Sequence, residues 1–121
     1  MIANIFVIKA PAGKSLFDNA DLTAKTVSVI ESKSNIVGRL FSGISVEGDV
    51  VRRLDIFEEQ VTFSEQLQLL SASLKESLTL EGFTFAFVSG EINQEVLNDV
   101  SIFGNFKTLE FENGNLITPL V

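Results

Sequence analysis

The run Ala10-Pro11-Ala12-Gly13-Lys14-Ser15 closes on Gly-Lys-Ser, the three residue types that end a phosphate-binding loop. In such a loop, glycine-rich backbone N–H groups surround the phosphates, the lysine reaches the terminal ones and the serine hydroxyl sits on magnesium. The full pattern wants another glycine five residues before Gly13, and Ile8 stands there instead. Pro11 removes a further N–H from the cradle. A plain strand-to-helix turn is therefore the favoured reading, no nucleotide cofactor is expected, and anion binding by 10–15 stays an open question.

Carboxylates are the next candidates. Asp18 with Asp21, Asp55 with Glu58 and Glu59, and Glu110 with Glu112 could each offer oxygens to a hard cation. None has the spacing of a calcium loop, so solvated acidic faces are expected and no metal is assigned. A carboxylate pair can also hydrolyse glycosides, given a cleft and a set separation. The chain has no Trp or Tyr to form a sugar platform. It also has no Cys and no His, which removes thiolate nucleophiles, sulfur and imidazole metal ligands, and Ser-His-Asp or Cys-His catalysis. No catalytic, cofactor-binding or metal residue is assigned, and a non-enzymatic protein is expected.

Sixteen Asp and Glu against nine Lys and Arg give a net charge of −7 over 121 residues. That balance repels nucleic acid and anionic membranes, and the basic residues form no run beyond Arg52-Arg53. All eleven aromatic residues are Phe, a side chain that favours core burial over polar recognition. No basic-then-apolar leader is visible, and no uncharged apolar run approaches the ~18 residues of a membrane span. The expectation is a soluble, unsecreted chain, cytoplasmic or part of a virion if viral.

The elements that must position these residues can be read from periodicity. Phe83, Phe85 and Phe87 alternate with small or β-branched residues in Gly82 to Gly90, so this strand is expected in the middle of a sheet, covered on both faces. Ile2 to Ile8 reads as the first strand, Ser15 as the cap of a short helix, and Thr23 to Glu31, rich in Thr and Val, as the second strand. Ile36, Val37, Leu40, Phe41 and Ile44 make a helical stripe over Ser34 to Gly43. Ile44 to Val46 and Val50 to Phe57 flank a Gly48-Asp49 hairpin turn. Ser64 to Leu78 is the clearest helix, with Leu67, Leu70, Leu74 and Leu78 in one stripe. Asn93 to Gly104 reads as another helix, and Asn113-Gly114 joins strands Phe106 to Glu112 and Asn115 to Thr118. The sum is a single α+β domain spanning 1–121, with a mostly antiparallel sheet and two or three helices packed on it.

The missing catalytic residues and the apolar C-terminus favour a structural or protein-interaction subunit that self-associates or joins a larger particle, with a protein partner or a second copy of itself. Leu69, on the outer face of the clearest helix, and Leu116, Ile117, Leu120 and Val121, in the tail, are the interaction candidates. The tail either packs on its own domain or docks into another chain. Two alternatives stand beside this reading: an acidic inhibitor or immunity-type protein that covers a basic target, and a small apolar-ligand binder with a Phe-lined cavity. For the phenylalanines themselves, close-packed core is favoured over cavity.

Overall fold

The computed structural model describes residues 1–99 and 104–121. Strand β1 (Ile2–Lys9) leads through a short 3-10 turn (Leu16–Asp18) into helix α1 (Ala20–Ser34). The hairpin β2 (Arg39–Glu47) and β3 (Val50–Phe57) follows, then α2 (Glu65–Leu80) and β4 (Thr84–Glu91). The chain closes with α3 (Gln94–Asn98), β5 (Lys107–Thr108), β6 (Phe111–Glu112) and β7 (Asn115–Leu116). The main sheet has the order β4-β1-β3-β2-β5 with every pairing antiparallel, and β6-β7 forms a separate ribbon. This is an α+β domain of ferredoxin-like β-α-β-β-α-β topology, with α1 and α2 on one face of the sheet.

Local physics explains where these elements differ from the expectations. Thr23 to Glu31 is helix, not strand. The side chain of Asn19 accepts from Leu22 N at 3.1 Å to start α1. Leu22, Thr26, Val29, Ile30 and Lys33 then form the buried stripe at helical spacing. Packing of that stripe outweighs the strand preference of Thr and Val. Ser34 to Gly43 is not a helix: Gly38 takes φ +84, and β2 begins at Arg39. The register of β2 against β3 shifts between Arg39 and Phe41. That extra residue breaks the period of two, so the apolar positions fall into a spacing that imitates a helix.

The Phe-rich strand β4 lies at the sheet's edge and not in its middle, because the split β-α-β connection sets β4 outside β1. It is exposed along its whole length, with Phe87 at 50%. Phe83, just before the strand, is the ring of this group that enters the core. The β2–β3 turn and the clear helix follow the expected pattern, with Gly48 at φ +62 and Ser64 accepting from Leu67 N at 3.2 Å. Helix α3, capped by Asn93, is shorter than the stretch expected to 104; residues 100–103 of that stretch lie outside the described residues. Asn113 and Gly114 both take positive φ, 52 and 79, as a two-residue hairpin turn of this type requires. The strand expected over 106–112 is two short pieces, β5 and β6.

Candidate functional site

Strand register determines which side chains face the helices. Asn4, Phe6 and Ile8 of β1 stand opposite Asp55, Arg53 and Val51 of β3, and opposite Ser89, Phe87 and Phe85 of β4. Ser42 and Ile44 of β2 extend the row. At the β2 end of this face Ile8, Ile44 and Val51 meet Leu22, Val29, Ile30, Leu74 and Leu78 in a continuous core. Toward β4 the packing opens. A cavity of about 380 Å³ lies there, between Phe6 and Phe87 of the sheet, Val29 and Lys33 of α1, Phe63 before α2, and Leu67, Ser71, Leu74 and Lys75 of α2. Its lining is overwhelmingly apolar, and Phe87, Gln68 and Ala72 are both lining and exposed, which marks its mouth. Phe85 stacks at a tilt against Phe6, 5.9 Å between ring centroids, and holds one wall.

Beside the cavity lies a buried group of charges. Asp55 is 2% exposed. Its Oδ1 accepts from Arg53 NH2 at 2.9 Å and from the Ser42 hydroxyl at 2.8 Å, and Lys33 Nζ stands 3.5 Å from Oδ2. Burial alone would raise the Asp55 pKa; the pull of Arg53, Lys33 and Ser42 outweighs it and holds the carboxyl below its ordinary value. Lys33 goes down as well, first through burial and then through the neighbouring Arg53 charge, which Asp55 offsets only in part. Its ammonium also lies 5.3 Å from the centroid of the Phe63 ring. Two cations thus share one carboxylate, and Arg53 Nε is buried with no hydrogen-bond partner among the described residues. Lys33 belongs to both the large cavity and an adjoining void of about 30 Å³, which Arg53 also lines.

This arrangement limits the chemistry. Asp55 is ionised, doubly engaged and inaccessible, so it cannot serve as a general base for a cavity ligand. Lys33 is different. It lines the cavity, and a lysine with a lowered pKa can accept a proton or hold an anion.

The Gly-Lys-Ser turn does not form a phosphate cradle. Lys14 is drawn to Glu81, 3.4 Å from its carbonyl oxygen and 3.8 Å from its carboxylate. The depression beside the turn is lined by Asp18, Asp21 and Glu81, three negative charges that repel phosphate. Among the described residues no group of three or more metal-ligating side chains comes together. The interaction candidates are scattered. Leu69 is 66% exposed on the outer face of α2. Leu116 and Leu120 pack against the protein's own core, and Leu116 N donates to Glu31 Oε2 of α1 at 2.9 Å. Ile117 and Val121 point outward.

Among the cavity residues Phe87 belongs to the phenylalanine group weighed as a cavity lining, and Leu67 and Leu74 to the expected helical stripe; Phe6, Val29, Lys33, Phe63 and Lys75 were not singled out, yet two signals existed. Arg53 and Asp55 share the inward phase of β3 with the apolar Val51 and Phe57, and Lys33 continues the buried stripe of α1.

No protein-family model and no curated protein sequence matches the chain. Among solved structures, the chain is similar to a "putative antibiotic biosynthesis monooxygenase" from Deinococcus radiodurans at TM-score 0.53 and 12% identity, over 78% of this chain and 94% of that one. A protein of the same description from Chloroflexus aurantiacus J-10-fl aligns at TM-score 0.31 and 12% identity, over 77% and 98%. The first likeness establishes the fold. The expectation of a structural or assembly subunit is corrected against it: the solved structure that shares this fold is described as a "putative antibiotic biosynthesis monooxygenase", not as an assembly subunit. Of the three phenylalanines expected to be close-packed core, Phe83 is core, whereas Phe87 lines the chamber and is corrected to a cavity residue. No helix among the described residues is long and apolar enough to cross a membrane.

Proposed function

We propose that the protein binds a small, mostly apolar organic molecule in the chamber between α1, α2 and the sheet. The observation that carries this reading is the chamber itself. At about 380 Å³ it falls in the ~300–1,000 Å³ range of small-molecule sites, and like them it combines an apolar wall with a few polar groups. Titration with the neutral fluorophore N-phenyl-1-naphthylamine tests it. One saturable site is expected, abolished by Ala72→Trp, which places an indole in the mouth. Absence of a saturable site, or binding indifferent to Ala72→Trp, would overturn the reading.

A catalytic use of the same chamber is the second reading. It is favoured by Lys33, a lining amine whose pKa is lowered by burial, and by the name of the Deinococcus protein, a monooxygenase. Oxygen uptake in the presence of a bound aromatic compound is the corresponding assay, and a catalytic site predicts uptake that Lys33→Met diminishes.

A further inference from the structure

We infer that the molecule bound in the chamber is an amphipathic organic acid, its hydrocarbon body among the phenylalanines and its anionic group at Lys33 and Lys75. The inference rests on the chamber being a binding site and goes on to name the chemical class of its occupant.

The charge distribution carries the argument. The whole chain has a net charge of −7, with acids outnumbering bases sixteen to nine. A cavity lined at random in such a protein would show carboxylates. This one shows none: its charged lining residues are Lys33 and Lys75, and its remaining polar ones are Gln68 and Ser71. Asp55, the nearest buried carboxylate, does not line the chamber and is already committed to Arg53 and Ser42. Counting the buried group with Lys75, three cations face one anion, a local excess of two positive charges. Lys33 and Lys75 also repel one another, which adds to the lowering of the Lys33 pKa. An anion placed between them relieves that repulsion.

The Arg53 guanidinium strengthens the case. It is 94% buried by its 6% exposure, and its Nε lacks an acceptor among the described residues. A buried donor left without a partner is costly, and Arg53 lines the small void that shares Phe6, Val29, Lys33 and Leu74 with the chamber. A guanidinium with one N–H still free, next to an apolar chamber, is an arrangement suited to a carboxylate. A neutral hydrocarbon would leave Arg53 Nε without an acceptor and the two positive charges in excess of Asp55 unanswered.

Three ligands of one chain length separate the possibilities: decanoate, 1-decanol and decylamine, titrated calorimetrically into the intact protein below their aggregation limits. Decanoate is expected to bind about tenfold or more tightly than 1-decanol, the scale of one charge-assisted hydrogen bond, and decylamine weakest. Lys33→Met should erase most of the preference. Lys75→Gln, an exposed substitution that cannot unfold the protein by burial, should reduce it by several-fold with little change for 1-decanol. Equal affinity for decanoate and 1-decanol, or tighter binding of decylamine, would overturn the inference while leaving the chamber as a binding site. Failure of all three to bind would remove both.

Discussion

Removing Asp55 and removing Lys33 should have opposite consequences, although the two side chains form one ion pair. Asp55→Asn leaves Arg53 and Lys33, 8% and 10% exposed along their side chains, as like charges with no counter-ion. Truncating one member of a buried pair in this way costs about 3–5 kcal/mol. Lys33→Met leaves Asp55 with its two better contacts, Arg53 at 2.9 Å and Ser42 at 2.8 Å, and puts an apolar chain of similar length into an apolar wall. The lowered pKa of Lys33 gives the sign: its charged form is worse off in the folded state than in the unfolded chain. The substitution should therefore lie within about 1 kcal/mol of wild type or stabilise. Urea unfolding followed by far-UV circular dichroism measures both. With m near ~2 kcal/mol/M, Asp55→Asn should lower the midpoint by roughly 1.5–2.5 M, and Lys33→Met should leave it nearly unchanged. If Lys33→Met costs as much as Asp55→Asn, the lysine is holding the fold together, and the claim that it is a spare cation facing the chamber is refuted.

Acid should destabilise the protein through the same carboxylate. The folded pKa of Asp55 is depressed, so its contribution is complete above its unfolded value of about 3.9 and is lost as pH falls through the folded value; thermal melts should drop below about pH 4, and Asp55→Asn should flatten that drop. Lys33 acts at the other end: with a lowered folded pKa it makes stability rise as pH climbs toward about 10.4, a rise that Lys33→Met should abolish. Gly43→Ala should cost about 1–3 kcal/mol in a denaturant midpoint, since its new Cβ would meet Phe41 Cε1 at 2.7 Å and Cζ at 2.8 Å with Phe106 Cβ at 3.1 Å. Ser64→Ala, which removes the acceptor for Leu67 N, should cost about 1 kcal/mol in the same assay.

The class of fold was legible because it follows from hairpin turns and from one clean helix. Gly48-Asp49 marks the turn that pairs β2 antiparallel with β3, Asn113-Gly114 marks the turn of the separate β6-β7 ribbon, and the leucine stripe of α2 shows which face is covered. Two elements were misread for physical reasons. α1 carries Thr and Val at positions where burial overrides propensity, and the β-bulge at Arg39–Phe41 disguises β2 as a helix. The position of β4 was not legible, because alternating phenylalanines look the same on a central strand and on an edge strand beside a chamber. The site was less legible still. Phe6, Val29, Lys33, Phe63 and Phe87 come from four segments that meet only through the topology, and a void has no sequence signature. The inward Arg53 and Asp55, and Lys33 on the buried stripe of α1, were the readable hints.

The most direct test of the chamber as the functional site is a 1H–15N correlation spectrum of the protein titrated with 1-decanol, a ligand that makes no demand on charge. Saturable shifts concentrated at Phe6, Val29, Lys33, Phe63, Leu67 and Phe87, and absent from Ala72→Trp, are the predicted result. Shifts confined to the Gly13-Lys14-Ser15 turn or to Leu116–Val121, or no saturable shifts anywhere, would contradict it.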